Sequence, residues 1–382
     1  MINILSQNLH NGMCVSMVSQ TDFIRDLIKW DRKIFFDDLS NEPLLQEPTG
    51  TVKIMADFTE YSPLHLGHRH CMMKAKEKEP DAIFVAVVPG LFERNGRGMP
   101  YIMTRQARAK AAVNVGADVV VEGPPMGIMG SGQYSLCLAK MFQALNTDFI
   151  PRGYKPVEGF NEILEHINKG KAVAPKPYKF VDVESKKVLK EGKLDEDNYV
   201  IVSLSKSLKK VGFNFKDKFI FVKRVEGVSG TKIRQFVSNG DFESAKEMLP
   251  SETIAVLKEE IANNRAPLND IRDQERILEV VNQSSLDDLA SLNLINDVTA
   301  QNMIEGRPFE SLEEIEKIIS WGFSRHYKQR ILSSLEARIN KDQISKYIDS
   351  YPSIIRILNF KNKNILKKFN EKITHRRLEI WQ

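Results

Sequence analysis

Val52-Lys-Ile-Met-Ala-Asp-Phe-Thr-Glu-Tyr-Ser-Pro-Leu-His-Leu-Gly-His68 is a short apolar run that passes through a proline turn into a glycine flanked by two histidines. Val52–Phe58 is apolar enough to predict a buried strand, and Gly67–Glu79 reads as the helix that follows it. The same alternation continues downstream. Ala82–Val88 is an apolar run closed by Pro89-Gly90, Thr104–Val115 is rich in alanine with spaced charges, and Asp118–Glu122 is a second run closed by Gly123-Pro-Pro125. Ser135–Leu145 predicts a further helix, followed by Asp148-Phe-Ile150. Strands that are apolar on both faces and alternate with helices predict an α/β fold, a Rossmann-like parallel sheet wrapped by helices. Ligand sites of such sheets lie in the loops after the strands, which is where the glycines, prolines and histidines fall.

Working outward, Tyr199-Val-Ile-Val-Ser203 and Phe219-Ile-Phe-Val222 read as further strands, and beyond Ser229 the pattern is helical to the end. We therefore divide the 382 residues into an N-terminal extension (1–50), the sheet domain (51–245) with a Lys-, Glu- and Pro-rich insertion (155–200), an all-α C-terminal domain (246–345) and a basic helical tail (346–382). The extension carries one helical pattern, Asp22–Trp30. Hydrophobic residues make up 42% and charged residues 27%, enough apolar side chain for a sizeable core in a globular protein. No apolar run approaches the length of a membrane span, so no membrane partner is expected. The start of the chain lacks the basic and apolar regions of a signal peptide. Cys14, Cys71 and Cys137 are too scattered for a disulfide framework or a zinc knuckle, which points to a reducing, cytoplasmic setting. Cys71 reads as packed rather than nucleophilic.

The net charge of +5 is a property of the tail, since Ser350–Gln382 carries eight Lys and Arg against two Glu. Such a tail is either a polyanion-binding arm or a solvated helix face. The cations assigned to an RNA-facing surface are Arg325, Lys328 and Arg330 of the helical domain with Lys367, Lys368, Arg376 and Arg377 of the tail. Tyr351, Phe360, Phe369 and Trp381 read as packing residues rather than base-stacking platforms. Ser291–Leu312 weakly resembles a helix-hairpin-helix module, with Asn296-Asp297 where that module uses glycine; an ordinary helical bundle fits better.

The chemistry concentrates in two segments. At the entrance to the first helix, His65 and His68 are spaced to face one polyphosphate, while Gly67 lets the nucleotide approach the backbone and the helix start adds positive potential. Far downstream, after the last strand, Val228-Ser-Gly-Thr-Lys-Ile-Arg234 begins a helix with the hydroxyls of Ser229 and Thr231, exposed amides at Gly230, and the cations Lys232 and Arg234. Those are the groups a pair of phosphates requires. Each segment alone has a bland reading, surface histidines in one case and a capped helix start in the other. Both in order on one sheet are far more specific.

An HxGH motif after strand one and SGTKIR after the last strand resemble the nucleotidyltransferase superfamily of HIGH-type Rossmann-like enzymes. A closer likeness runs to the tRNA(Met) cytidine acetate ligases. Glu60-Tyr-Ser-Pro-Leu-His-Leu-Gly-His68 is similar to that family's EYNPFHNGH, and Arg152-Gly153 falls at the Gly of its FGSE. Phe309–Leu332 resembles its closing FDDL and RYTRTRIQR segment. The resemblance implies that ATP and acetate form acetyl-adenylate with release of pyrophosphate, and that the acetyl group passes to a cytidine of tRNA. It implies catalytic roles for His65 and His68, and a nucleotide-binding turn that includes Phe58, Thr59, Glu60, Tyr61, Ser62 and Gly67. It further implies nucleotide contacts at Gly153, Arg224, Ser229, Gly230 and Thr231, pyrophosphate held by Arg234, and Mg²⁺ as the accompanying ion. Asp57 would either help hold that ion or close the strand; no metal-ligand set is assigned.

The departures fall on the acceptor side. Leu64 and Leu66 replace an aromatic and an Asn, the loop Asn95–Pro100 is longer than the family's, and Ser203–Leu208 is the nearest equivalent of its SPNNIL motif. The acceptor therefore stays open between a small carboxylate, with tRNA beyond it, and a phosphate ester of the kind cofactor-type nucleotidyltransferases use. An RNA-binding protein with a vestigial nucleotide site is the third reading, and the intact HLGH and SGTKIR pair speaks against it.

Overall fold

The computed structural model describes residues 18–319, 324–374 and 377–381. Along the chain run α1 (Gln20–Leu39), β1 (Ile54–Phe58), α2 (Leu66–Lys78), β2 (Ile83–Pro89), α3 (Arg105–Val115), β3 (Val119–Gly123), α4 (Ser131–Ala144) and β4 (Ile150–Tyr154). The insertion supplies α5 (Phe160–Asn168), β5 (Val173–Lys176), β6 (Lys179–Asp182), β7 (Val188–Glu191) and α6 (Glu196–Lys210), and β8 (Phe219–Lys223) leads to α7 (Gly230–Ser238). Then come α8 (Phe242–Lys246), α9 (Ser251–Ala262), α10 (Gln274–Gln283), α11 (Leu286–Ser291), α12 (Asp297–Glu305), α13 (Leu312–Ile318), α14 (Arg325–Ala337) and α15 (Lys341–Ser350). The chain closes with β9 (Ile355–Phe360), α16 (Lys363–Lys372) and β10 (Leu378–Ile380).

The expected Rossmann-like α/β sheet is present. β1, β2 and β3 pair in parallel, and β4 pairs in parallel with β8. The two groups join where the Ala56 amide donates to the Phe149 carbonyl at 2.9 Å, beside a parallel Met55–Phe149 bridge. The resulting order is β8-β4-β1-β2-β3. The chain leaves β1 in one direction and later returns on its other side, so a crevice opens at the carboxyl ends of β1 and β4. Both faces of the sheet are covered. Ile54, Ala56 and Phe58 of β1 enter one apolar cluster and Met55 the other, which is why the strand reads as a continuous apolar run.

The helices of the C-terminal region close a core of their own, built on Ile277, Val281, Leu289, Met303, Ile331 and Leu335. The seam near residue 250 is shared: Ile102, Met103 and Ala107 of the sheet region pack with Ile233, Val256 and Leu257.

Two readings need correction. Tyr199–Ser203 lies in helix α6, not in a strand. Its apolar residues belong to a helical stripe, Ile201, Val202, Leu204 and Leu208, whose later members lie outside the five residues that look strand-like. A short apolar run is ambiguous until its length is known. The tail is not simply helical. Ile355 and Ile357 face one core and Leu358 the other, so β9 is buried on both sides and adds antiparallel to β3, with β10 parallel to it at the edge. The extension also belongs to the fold, since Ile24, Ile28, Ile34 and Phe35 of α1 are buried in the larger cluster. No helix among the described residues is long and apolar enough to cross a membrane.

Candidate active site

His65 is the N-cap of α2, in extended backbone, and the two histidines cap one another. The His68 amide donates to His65 Nδ1 at 3.4 Å, and the His65 amide donates to His68 Nδ1 at 3.3 Å. The rings stack with centroids 3.7 Å apart and planes 14° from parallel. Tyr61, held at φ 45°, stands edge-on to His68 at 5.2 Å. An aromatic residue in left-handed backbone is strained, and such strain persists only where the surroundings enforce it.

This geometry settles the protonation of both rings. Burial, then the charges of Arg224 and Arg234, pushes His65 down to about 4. Burial, then His65, Arg224 and Arg152, holds His68 well below its ordinary value. Both are neutral near pH 7, and because each Nδ1 accepts an amide proton, the ring proton of each sits on Nε2. The motif thus offers two parallel N–H donors without two positive charges. Gly67 leaves the His65 ring its room, since a Cβ there would lie 3.1 Å from His65 Cε1 and 3.2 Å from its Nδ1.

The second segment faces the first. Ser229 caps α7 by accepting the Lys232 amide. A Cβ at Gly230 would stand 3.8 Å from His65 Nε2, so the start of α7 opens directly onto that donor. Arg234 is fixed across the gap, donating from Nη1 to the Ser62 carbonyl at 2.8 Å and from Nη2 to Thr231 Oγ1 at 3.2 Å. Burial lowers its pKa against the opposing pull of Glu60. Phe58 ends β1 with Thr59 just beyond it, and the Ser62 hydroxyl accepts the Ile102 amide at 3.1 Å. Glu60 accepts the Gly96 amide at 2.8 Å, and burial raises its carboxyl above the ordinary value.

Gly153 and Arg224 close the other wall, with Arg224 Cγ 3.5 Å from where a Cβ of Gly153 would be. Arg224 is ion-paired with Asp197 in the first turn of α6. Four residues given no role in the sequence, Asp197 among them, are also here. Arg152 donates Nη1 to Asp57 Oδ1 at 2.9 Å and to the Phe58 carbonyl at 2.7 Å. Arg97 of the long loop pairs with Glu196, next to Asp197. A charged side chain within a strand was the signal for Arg152, and the length of its loop the signal for Arg97; nothing in the sequence marked the acids of α6.

Among the described residues, no three His, Cys, Asp or Glu side chains cluster to hold a metal ion. Asp57, the strand-end carboxylate that could have served, is taken up by Arg152. The described residues offer no resident metal cage. Cys71 is buried and its thiol is pushed up to about 12 by burial, so it packs as expected.

Three of the cations assigned to an RNA-facing surface, Arg325, Lys328 and Arg330, lie on α14. Arg325 is exposed, Lys328 donates to the Glu316 carbonyl, and Arg330 to the Met129 carbonyl. Lys367 and Lys368 lie on α16, Arg377 is hydrogen-bonded to Asn41, and Arg376 falls outside the described residues.

With the site assembled, comparisons with known proteins identify its family. A family model described as HIGH Nucleotidyl Transferase matches residues 52–148, and one described as Cytidyltransferase-related C-terminal region matches residues 155–359. The chain belongs to the HIGH nucleotidyl transferase family. It is accordingly a nucleotidyltransferase, and the reciprocal histidine cap is its HIGH motif. An uncharacterised protein of Methanocaldococcus jannaschii is 45% identical over 361 residues, covering 93% of this chain and 98% of its own. A tRNA(Met) cytidine acetate ligase of a Thermoanaerobacter species is 24% identical over 359 residues, 84% of this chain and 86% of its own. Among solved structures, Thermotoga maritima TmcAL bound with alpha-thio ATP superposes with a TM-score of 0.70 at 21% identity, over 86% of this chain and 85% of that one.

Proposed function

We propose that this nucleotidyltransferase uses ATP to adenylylate a small carboxylate, releasing pyrophosphate, and passes the acyl group to a cytidine of tRNA, releasing AMP. The observation that carries the reading is the pair of neutral, stacked Nε2–H donors at the start of α2, facing the start of α7. Two donors fixed in this way can follow the charge that builds on the α-phosphate as it is attacked, with no reorganisation and no charge of their own to desolvate. Arg234, anchored on Ser62 and Thr231, holds the departing pyrophosphate, and the Ser229–Thr231 turn with its amides cradles the terminal phosphates. Gly67, Gly153 and the Phe58–Ser62 turn shape the bed for the nucleoside. Mg²⁺ would arrive on the phosphates of the nucleotide, since the described residues supply no cage for it.

ATP and tRNA are named in the relatives' descriptions, and the intact HIGH and SGTKIR pair supports the nucleotide half for this chain. The acceptor half is supported by the extent of the likeness, which runs through the C-terminal helices where Arg325, Lys328 and Arg330 lie. Pyrophosphate exchange into ATP, measured with acetate, with other small carboxylates and with phosphate esters, tests it. Exchange that depends on a carboxylate and is abolished in His68→Ala is expected. Exchange only with phosphate esters would refute the carboxylate assignment, and silence with every acceptor would refute the adenylylation reading.

A further inference from the structure

We propose that Arg152 holds the α-phosphate of the nucleotide, opposite the pyrophosphate site. The inference rests on the nucleotide reading above and assigns a contact that no sequence motif marked. Arg152 stands on β4 beside the end of β1, at the crevice where the chain reverses its direction across the sheet. Its Nη1 is shared between Asp57 Oδ1 at 2.9 Å and the Phe58 carbonyl at 2.7 Å, which fixes the plane of the guanidinium.

The remaining donors are left over. Nε is buried without a partner, and Nη2 has no acceptor among the described residues, while the side chain keeps 14% exposure. A guanidinium present only to neutralise Asp57 would use its fork on both carboxylate oxygens, as Arg105 does on Asp31 and Arg94 on Glu336. Arg152 engages one oxygen, and turns the rest of its fork elsewhere.

The two cations are also anchored on different elements. Arg234 sits over Ser62 and Thr231 on the His65 side, where α7 begins. Arg152 is held at the end of β1, on Asp57 and the Phe58 carbonyl. A phosphate chain laid along rings 3.7 Å apart would meet Arg234 at its leaving end and Arg152 at the phosphorus that is attacked. Arg224 cannot serve as readily, because Asp197 must first release it.

Calorimetric binding of adenosine, AMP and ATP separates the roles. In Arg152→Met, AMP and ATP should both weaken, roughly tenfold to a hundredfold for one lost charge-assisted contact, with adenosine unchanged. Arg234→Met should weaken ATP and leave AMP alone. Because Arg152→Met strands a buried carboxylate, the paired variant Asp57→Asn/Arg152→Met is measured beside it, and should show the same AMP loss on a restored fold. Arg152→Lys should recover part of the AMP affinity. Wild-type affinities for AMP and ATP retained in the folded paired variant would overturn the assignment. If the wild-type protein binds none of the three ligands, the nucleotide reading itself falls, a result separable from the first.

Discussion

Replacing His65 with Asn should make the protein less sensitive to acid by an amount the site geometry sets. Asn can accept the His68 amide as an N-cap, so the perturbation removes a titrating ring and little else. In the folded chain His65 titrates near 4, against 6.5 for the free side chain. A base whose folded pKa is depressed costs nothing above its unfolded pKa. Stability is lost as pH falls below 6.5, because the unfolded chain takes up a proton that the folded chain refuses, and the loss levels off near 4. At pH 5 that penalty is about 2 kcal/mol. Asp57 and Asp38, both raised to about 6 by burial, work in the opposite direction, gaining stability as pH falls from 6 toward their unfolded value. They are present in both proteins, as is neutral His68, and cancel in the comparison. Urea titrations followed by circular dichroism at pH 7.5 and pH 5 give the four free energies. Wild type should lose about 2 kcal/mol more than His65→Asn over that interval. Equal losses would show that His65 is not a buried neutral ring, and the two-donor account of the HIGH motif would fail with it.

Gly67→Ala should leave the protein folded but reduce turnover by about tenfold or more, because its Cβ would press on the His65 ring from 3.1 Å and tilt the donor pair; pyrophosphate exchange reads this, and unchanged turnover would contradict the steric argument. Asp197→Asn should tighten ATP binding by no more than about fivefold, the value of a half-exposed ion pair released from Arg224; weaker binding would show that Asp197 positions Arg224 rather than competing for it. Glu336→Gln should destabilise by about 3–5 kcal/mol, since Glu336 is the buried partner of both Arg94 and Arg272 and accepts the Asp273 amide. Denaturant midpoints check it, and a loss below about 1 kcal/mol would place the ion-pair lattice outside the stability of the fold.

β2 and β3 were the most legible strands because both are buried on both faces, so each reads as an apolar run ending in proline or glycine. The histidines and the SGTKIR turn were legible because their chemistry is local: a cap and an approach glycine are written within four residues. What could not be read depends on distant partners. Tyr199–Ser203 has a strand's composition, and only its packing against α4 and β5 makes it part of a helix. Arg152 stood in plain view beside Gly153, yet its role depends on Asp57, at the end of another strand. The pairing of Glu196 with Arg97 and of Asp197 with Arg224 joins two loops to the start of α6, which no local pattern relates.

The tail changes meaning for the same reason. Its eight cations suggested an arm for a polyanion, but much of that charge is consumed internally. Arg356 lies in the sheet and binds Asp38 and Glu122, both buried, with Glu379 beside them. Lys361 pairs with Asp118 and Lys372 with Asp148. Arg377 ties the tail back to Asn41 after the first helix. Charges so placed are bound to the fold and offer little to a phosphate backbone, whose contacts need exposed, unpaired cations. Lys363, Lys367 and Lys368 on α16 are what the described tail leaves free, three charges at the edge of the sheet. Neutralising Lys367 and Lys368 together should therefore reduce the salt slope of tRNA binding by no more than about two units. A larger drop would mean that the tail detaches to bind, and the burial of Arg356 argues against that, since withdrawing it strands two carboxylates in the core.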